Sequence, residues 1–435
     1  VILFADSEIR RACERLVSLF QLLGGTVLFV GGCVRDALLG IPASDIDIEV
    51  FGLSVAVIEE AVRKEFDFDC VGKAFGILKL KHLPIDISIP RYETKLGLGH
   101  RGFQIESNPY LSVTEALSRR DFTINALAWD PIDCKLMDPF GGKVDLKNKL
   151  LKHTSHKFIE DPLRVLRCMQ FMGRFELQID PTTLALCQTI IPENLSPERI
   201  WHEWKKWLLK SKKPALGLNF LKASGWIIYY PELQHLLNFT ATVHASSKTL
   251  WECTLAALDN FATRQLSEKI DPTVIGLAIL CYGLKDHHAQ INFLKRTGTP
   301  IKLIPKIVRF IRYASKPIEF IETDATDEAF RRLALEVSLD GLSYITHCLL
   351  TASFFSKTNS DSITKRFREK AKALSIYQTP PQPIILGRHL IEIGCNPGPN
   401  FSNILKACFE AQLQGVFVDL ATGKVFLKSL FEKFI

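Results

Sequence analysis

No apolar run in this 435-residue chain approaches the roughly 20 residues that a membrane-crossing helix needs. The longest, such as Val27–Val30 and Pro272–Leu280, stop far short of it. The first residues lack the basic-then-apolar pattern of a secretory signal. The sequence starts at Val1 rather than Met, so a few residues are expected to precede it. Eleven cysteines are scattered without a single CxxC pair, which argues against a zinc ribbon or a disulfide framework and predicts reduced thiols in the cytoplasm. There is no GK[ST] for a Walker A loop, and the Gly31-Gly32 turn lacks the GxGxxG spacing of a dinucleotide fingerprint. Internal repeats and low-complexity tracts are also missing.

What remains is an ordinary folded composition, 47% hydrophobic and 23% charged, in a chain too long for one hydrophobic core. Two to four domains are expected. The net charge of +7 is compatible with a polyanionic partner and equally with plain charge scatter.

Two kinds of patterning divide the chain. Up to about Phe140, short apolar strands alternate with helical stretches. Thr26–Val30 reads as a strand, Cys33–Leu39 as a helix after the Gly31-Gly32 turn, Asp45–Val50 as a strand and Leu53–Glu65 as a helix. Phe75–Lys81 and Pro84–Ile89 read as two strands around a His82-Leu83 turn. Lys95–Pro109 reads as a loop, and Val113–Leu117 opens another helix. From Ile159 onward the chain reads as nearly all helix, punctuated at Pro181, Pro192, Pro214, Pro231 and Pro272.

The first polar constellation is Asp45-Ile46-Asp47-Ile48-Glu49-Val50. Side chains alternate along a strand, so Asp45, Asp47 and Glu49 share one face while the apolar residues share the other. Pro84–Ile89 repeats the pattern with Asp86 and Ser88. If the two strands are neighbours, Asp45, Asp47 and Asp86 converge, and crowded carboxylates call for a hard cation such as Mg²⁺. Two such ions can activate a hydroxyl and stabilise a leaving pyrophosphate. Exposed acids on half-buried strands are the plainer reading of this segment taken alone. Gly31-Gly32 lies between a strand and a helix, where a glycine backbone can approach phosphate, and Arg35 could add charge or pair with an acid.

The second constellation is Arg119-Arg120-Asp121-Phe122-Thr123-Ile124-Asn125, which could hold triphosphate and ribose or could simply cap a helix. The third is Glu160-Asp161-Pro162-Leu163-Arg164-Val165-Leu166-Arg167. Asp161 and Arg164, three apart, share a face. A carboxylate accepts from an amino group and a guanidinium donates to a ring acceptor, which suits cytosine and adenine but not uracil or guanine. The plainer reading is a first-turn salt bridge. Basic clusters downstream, including Lys205-Lys206, Arg309, Arg312, Arg331-Arg332 and Lys365-Arg366-Arg368, suit an RNA backbone or solvated helix faces. Trp201, Trp204 and Trp207 read as core or domain contact.

These motifs together resemble the class II CCA-adding enzyme and bacterial poly(A) polymerase family of the polymerase-beta-like nucleotidyltransferases. Gly31-Gly32-x-Val34-Arg35-Asp36 with Asp45-x-Asp47 is similar to its first signature, and Asp86 to its later acid. Arg119–Ala126 resembles the ribose and triphosphate signature. Glu160-Asp161-x-x-Arg164 resembles the motif whose side chains template C and A, with Arg167 beside it. Lys95, His100 and Arg101 fall in a stretch similar to the family's flexible loop, and Ser196–Ile200 resembles its neck segment.

The resemblance implies an α+β fold, with an N-terminal mixed-sheet nucleotidyltransferase head followed by an elongated all-helical neck, body and tail. The expected divisions are a head over 1–150, a base- and RNA-binding neck over 151–230, an HD-like helical body over 231–378 and a tRNA-binding tail over 379–435. It implies Asp45, Asp47 and Asp86 as catalytic metal ligands for two Mg²⁺ ions, with CTP and ATP as substrates. Gly31, Gly32, Arg35, Arg119, Arg120, Asp121, Asn125, Asp161, Arg164 and Arg167 would bind the nucleotide. The acceptor and T-arm region of tRNA would be the partner, with no membrane, for a monomer or a dimer. The body departs from the HD pattern, since Cys253 and Cys281-Tyr282 stand where His and His-Asp would be. Addition of CC alone or A alone, polyadenylation and a non-catalytic RNA-binding scaffold are the competing readings.

Overall fold

The computed structural model describes residues 4, 6–71, 77–95, 103–240, 248–263, 266–355, 360–395 and 397–432. It divides into two compact units, Val1–Tyr229 and Tyr230–Ile435.

The first unit opens with helix α1 (Ser7–Leu22), whose Asp6 cap accepts from the Glu8 amide. Strand β1 (Thr26–Val30), helix α2 (Gly32–Leu38), strand β2 (Ile46–Phe51) and helix α3 (Val55–Arg63) follow. Strands β3 (Phe68–Val71), β4 (Ile77–Leu80) and β5 (Ile85–Ser88) complete one side of a mixed sheet. Beyond β6 (Arg91–Lys95), β7 (Phe103–Ser107) and helix α4 (Val113–Ser118), strands β8 (Ala128–Asp130) and β9 (Lys135–Met137) complete the other. The strand order is β3-β4-β5-β2-β1-β8-β9. Only β2 and β5 run parallel, with Asp47 opposite Asp86 and Glu49 opposite Ser88.

The strands expected around Gly31-Gly32, Asp45-x-Asp47 and Asp86 are therefore present, and His82 takes the positive φ of the expected turn. The reading of Lys95–Pro109 as loop is corrected, because β6 and β7 pair as a separate two-stranded antiparallel sheet. Its polar and glycine-bearing composition hid this alternation. Of the loop residues singled out, His100 and Arg101 lie outside the described residues, and Lys95 closes β6.

Alternation explains the two faces of the sheet. One face carries Val27, Phe29, Ile46, Ile48, Val50, Ile85 and Ile87, packed against Leu16 and Phe20 of α1 and Ile58 and Val62 of α3. The opposite face carries Leu28, Val30 and Phe51 against Ala116, Leu117, Ala126 and Ala128. Asp47, Glu49 and Phe51 share this second face, and the cover thickens along β2, leaving Asp47 open and burying Glu49 and Phe51.

The remainder of this unit is mostly helical: α5 (Gly142–Lys147), α6 (Leu163–Phe175), α7 (Pro181–Thr189), α8 (Pro197–Lys210) and α9 (Pro214–Ala223). A short parallel pair, β10 (Leu150–Leu151) and β11 (Gln178–Ile179), interrupts them. Asp180 and Ser196 cap α7 and α8, each with proline at the first helical position, where its missing N–H costs nothing. Trp204 and Trp207 are buried and meet edge to face, so they are core residues, as their spacing suggested.

The second unit is helical throughout its described residues, from α10 (Pro231–Asn238) to α21 (Leu420–Phe431). A Thr249/Glu252 capping box starts α11 (Leu250–Ala262), and Asp271 caps α12 (Pro272–Tyr282). The overall class is thus a mixed-sheet N-terminal head followed by extensive helix. No single helix among the described residues is long and apolar enough to cross a membrane.

Candidate active site

Strands β2 and β5 place Asp47 and Asp86 side by side on one face of the sheet. Asp47 is reached by water yet surrounded by protein, which raises its carboxyl above the usual range; Asp86 and Asp45 add to this, while Arg120 and Lys79 oppose it. The three acids do not form a ready ligand set, because no three or more His, Cys, Asp or Glu side chains among the described residues stand together in metal-binding reach. Asp86 turns to Lys79, which sits opposite it on β4 and donates at 2.6 Å. Asp45 precedes β2 and accepts from Ser44 at 3.2 Å.

Gly31 takes φ of 75°, open to glycine at little cost. The space where its side chain would lie is filled by the Arg120 guanidinium. Arg120 thereby stands between the Gly31-Gly32 turn and Asp47, and its buried Nε has no hydrogen-bond partner among the described residues. Arg119 is placed differently: its Nη2 donates at 2.9 Å to Glu49, which is fully buried. Glu49 does not belong to the open acidic face on which alternation alone would put it.

The remaining motif residues join in one buried polar chain. Arg35 donates through Nε and Nη2 to Asp36 and through Nη1 to the Asn125 amide oxygen at 2.5 Å, with its guanidinium over the Phe175 ring. Asn125 in turn donates to Asp121 Oδ1 at 2.9 Å, which fixes the orientation of its amide. Asp121 accepts from Arg167 Nε at 2.7 Å. Burial works to raise the Asp121 pKa, but Arg167, Asn125 and Arg164 outweigh it and hold the carboxyl below the usual range. On its other side Arg167 meets Glu203 of α8 at 3.5 Å.

The side chains of Asp161 and Arg164 do not form the first-turn salt bridge, although the Arg164 amide donates to the Asp161 carbonyl at 3.0 Å. Asp161 accepts from Arg199 Nη2 at 2.7 Å and from the Leu163 amide at 3.1 Å. Arg164 donates to the carbonyls of Lys157 at 2.8 Å and Arg119 at 3.0 Å. Each is held from behind by other residues, so both keep hydrogen-bonding capacity for a further partner. Lys79, Arg199 and Glu203 are the members that sequence reasoning missed. Arg199 lies in the neck-like segment Ser196–Ile200, whereas Glu203 stands among the charged residues Lys205, Lys206 and Lys210 of α8, so no local signal set it apart.

The profile described as "Poly A polymerase head domain" matches residues 27–152. The Multifunctional CCA protein of Xylella fastidiosa (strain M12) is 36% identical over 267 residues, covering 59% of this chain and 61% of that protein. The chain thus spans about three-fifths of the length of the first curated relatives it matches. The Multifunctional CCA protein of Haemophilus ducreyi is 35% identical over 284 residues, covering 61% of this chain and 67% of that protein. The chain belongs to the class II CCA-adding enzyme and bacterial poly(A) polymerase family.

Solved CCA-adding enzymes share its fold. The Bacillus stearothermophilus CCA-adding enzyme in complex with CTP superposes with a TM-score of 0.69 at 21% identity, covering 98% of this chain and 99% of that one. The Thermotoga maritima CCA-adding enzyme complexed with tRNA_CCA gives 0.64 at 24% identity, covering 98% and 96%. In the stretches that resemble HD ligand positions, Cys253 donates towards the Ser353 carbonyl at 3.7 Å, and Cys281 is fully buried with its thiol pKa pushed up by burial. His287 and His288 are exposed at the start of α13 (His287–Arg296). Several downstream arginines have internal partners: Arg331 donates to the Leu413 carbonyl, and Arg332 pairs with Glu328 and Glu410.

Proposed function

We propose that this chain adds CMP and AMP from CTP and ATP to the 3′ end of tRNA, without a nucleic-acid template and with release of pyrophosphate. The observation that carries the reading is the placement of Asp161 and Arg164. Their side chains flank the start of α6 without pairing with each other, and Arg164 is tied directly to Arg119 of the head. A carboxylate and a guanidinium held in this way offer one acceptor and one donor to the edges of cytosine and adenine. Relatives that match about three-fifths of the chain are Multifunctional CCA proteins, which supports the same substrates.

Asp45, Asp47 and Asp86 are the proposed metal ligands. Their all-oxygen chemistry and the like-charge crowding at Asp47 suit Mg²⁺, and Asp86 would leave Lys79 to join the set. A pair of Mg²⁺ ions there would activate the primer hydroxyl and neutralise the leaving pyrophosphate. Arg120, beside the Gly31-Gly32 turn, is placed to meet the triphosphate. Gly32, Arg35, Asp121, Asn125 and Arg167 belong to the same nucleotide site, the last four as the buried chain that fixes its walls. Arg119 acts through Glu49 and Arg164. The finer division into head, neck, body and tail at 150, 230 and 378 belongs to this proposal, with the body and tail receiving the acceptor and T-arm region.

The test is incubation of the purified protein with tRNAs lacking one, two or all three terminal CCA nucleotides, with CTP and ATP supplied separately. Ordered addition of C, C and A is the expected outcome. Incorporation of only C or only A would replace it with a split activity, and unlimited addition of A with polyadenylation. No incorporation on any of these substrates would sink the reading.

A further inference from the structure

Glu49 is the one acid of the β2 series that the nucleotide cannot reach, and it is fully buried. Burying a carboxylate is costly unless a cation compensates it. Here Arg119 does so, donating from Nη2 to Oε1, while Oε2 has no hydrogen-bond partner among the described residues. Arg119 follows directly on α4, and its backbone carbonyl accepts from Arg164 Nη2 at 3.0 Å. A second carbonyl, from Lys157, takes Nη1 of the same guanidinium. Two hydrogen bonds in series therefore run from β2, two residues beyond Asp47, to the guanidinium proposed to read the base, which the Lys157 carbonyl holds from a second side.

The geometry points to Glu49 as a positioning residue for base selection: its buried carboxylate fixes Arg119, and the Arg119 carbonyl fixes the plane of the Arg164 guanidinium. The inference rests on the base-reading role proposed above for Arg164. A guanidinium that must present a donor to one ring acceptor loses discrimination when its plane tilts, because the correct and incorrect bases differ only in where donors and acceptors stand along one edge. Carboxylate-to-guanidinium bonds are the stronger, better-oriented kind, which suits Glu49 to this task better than a neutral acceptor.

The decisive variant is Glu49→Gln, which keeps the shape of the side chain and removes its charge. Incorporation of each of the four nucleotides is measured on a tRNA awaiting C, alongside thermal unfolding and tRNA affinity. The preference for CTP over UTP is expected to fall about tenfold, with the loss in KM for CTP larger than in kcat. A merely structural role would lower the melting temperature or the active fraction and leave the preference of the active molecules unchanged, and that result would overturn the proposal. Should Glu49→Gln not fold, the double variant Glu49→Leu/Arg119→Leu removes both charges together and fills the site with apolar volume. Retained CTP preference in that folded protein would likewise overturn it. Arg164→Ala, run in parallel, separates the two levels: unchanged base preference there means that the base-reading assignment itself has failed. Relaxed preference in Arg164→Ala with intact preference in Glu49→Gln removes only the role of Glu49.

Discussion

Arg120 lies where a side chain on Gly31 would have to be. A Cβ built at Gly31 overlaps Nη1 of Arg120 and falls 3.2 Å from its Cζ, on a backbone with φ of 75°. Glycine is thus favoured by its own backbone, and any side chain there would in addition push aside the guanidinium end of Arg120. This interlock joins the first polar motif of the sequence to the second, and it sets Arg120 beside Asp47.

Gly31→Ala is therefore expected to destabilise the protein by about 1–3 kcal/mol and to reduce nucleotide incorporation at least tenfold. Gly32→Ala meets only Arg35 Nη2 at 3.6 Å, an ordinary contact, on a helical backbone. Its effect on stability should stay within about 0.5 kcal/mol. Thermal unfolding of the two variants side by side checks the contrast, and equal losses would contradict the packing argument.

Asp47→Ala should abolish incorporation while leaving tRNA affinity close to wild type. Lys79→Met should act in the opposite sense on the metal. The Lys79–Asp86 pair is half-exposed, so breaking it costs little, about 1 kcal/mol or less, and frees Asp86. Titration with Mn²⁺, followed by its electron paramagnetic resonance signal, should give an equal or up to about fivefold tighter affinity. Weaker binding would mean that Lys79 orients Asp86 rather than competing for it.

Two acids of the site should affect stability against pH in opposite directions. Asp121 has a depressed folded pKa, so its contribution is fully present above the unfolded value of about 3.9 and is lost as pH falls through the folded value. Asp47 has a raised folded pKa, so its contribution is present below the unfolded value and is lost as pH rises through the folded one. Asp121→Asn should flatten the acid side of the stability curve, and Asp47→Asn should stabilise the protein at neutral pH. Urea unfolding across the acid range measures both. Curves parallel to wild type would rule out these assignments.

Asp161→Ala should relax discrimination against UTP and GTP. Arg199→Ala should do the same to a smaller degree, because it leaves the carboxylate in place and removes the guanidinium that holds it at 2.7 Å. Competition assays with mixed nucleotides give the ratio directly. Selectivity intact in both variants would reduce this pair to structural salt-bridge chemistry.

Much of the head was legible because its signals are local. Alternation placed Asp47 and Asp86 on one face of their strands, and β2 and β5 pair with these two residues opposite each other. Gly31-Gly32 marked a turn, and Pro181, Pro214, Pro231 and Pro272 each stand at the start of a helix, while Pro192 lies between α7 and α8. The β6–β7 pair was missed, because the short Phe103-Gln104-Ile105-Glu106 alternation sits inside a polar, glycine-bearing stretch that reads as loop. Glu49 takes the face that alternation expects, but its burial was not legible, because alternation states which face a side chain takes, not what covers that face.

Local patterning was enough to order β1, α2, β2, α3, β4 and β5, to set the face that bears Asp47 and to show the clustering of polar residues into three motifs. Only the tertiary structure decided their partners: Glu49 with Arg119 across 70 residues, Asp121 with Arg167 across 46, and Asp161 with Arg199 across 38. Spacing along one strand or helix fixes neighbours within a few residues, so it encodes faces and caps. Which charge meets which across such separations depends on how whole elements pack. In the buried interior, where an unpaired charge is costly, that packing turned three separate motifs into one connected site.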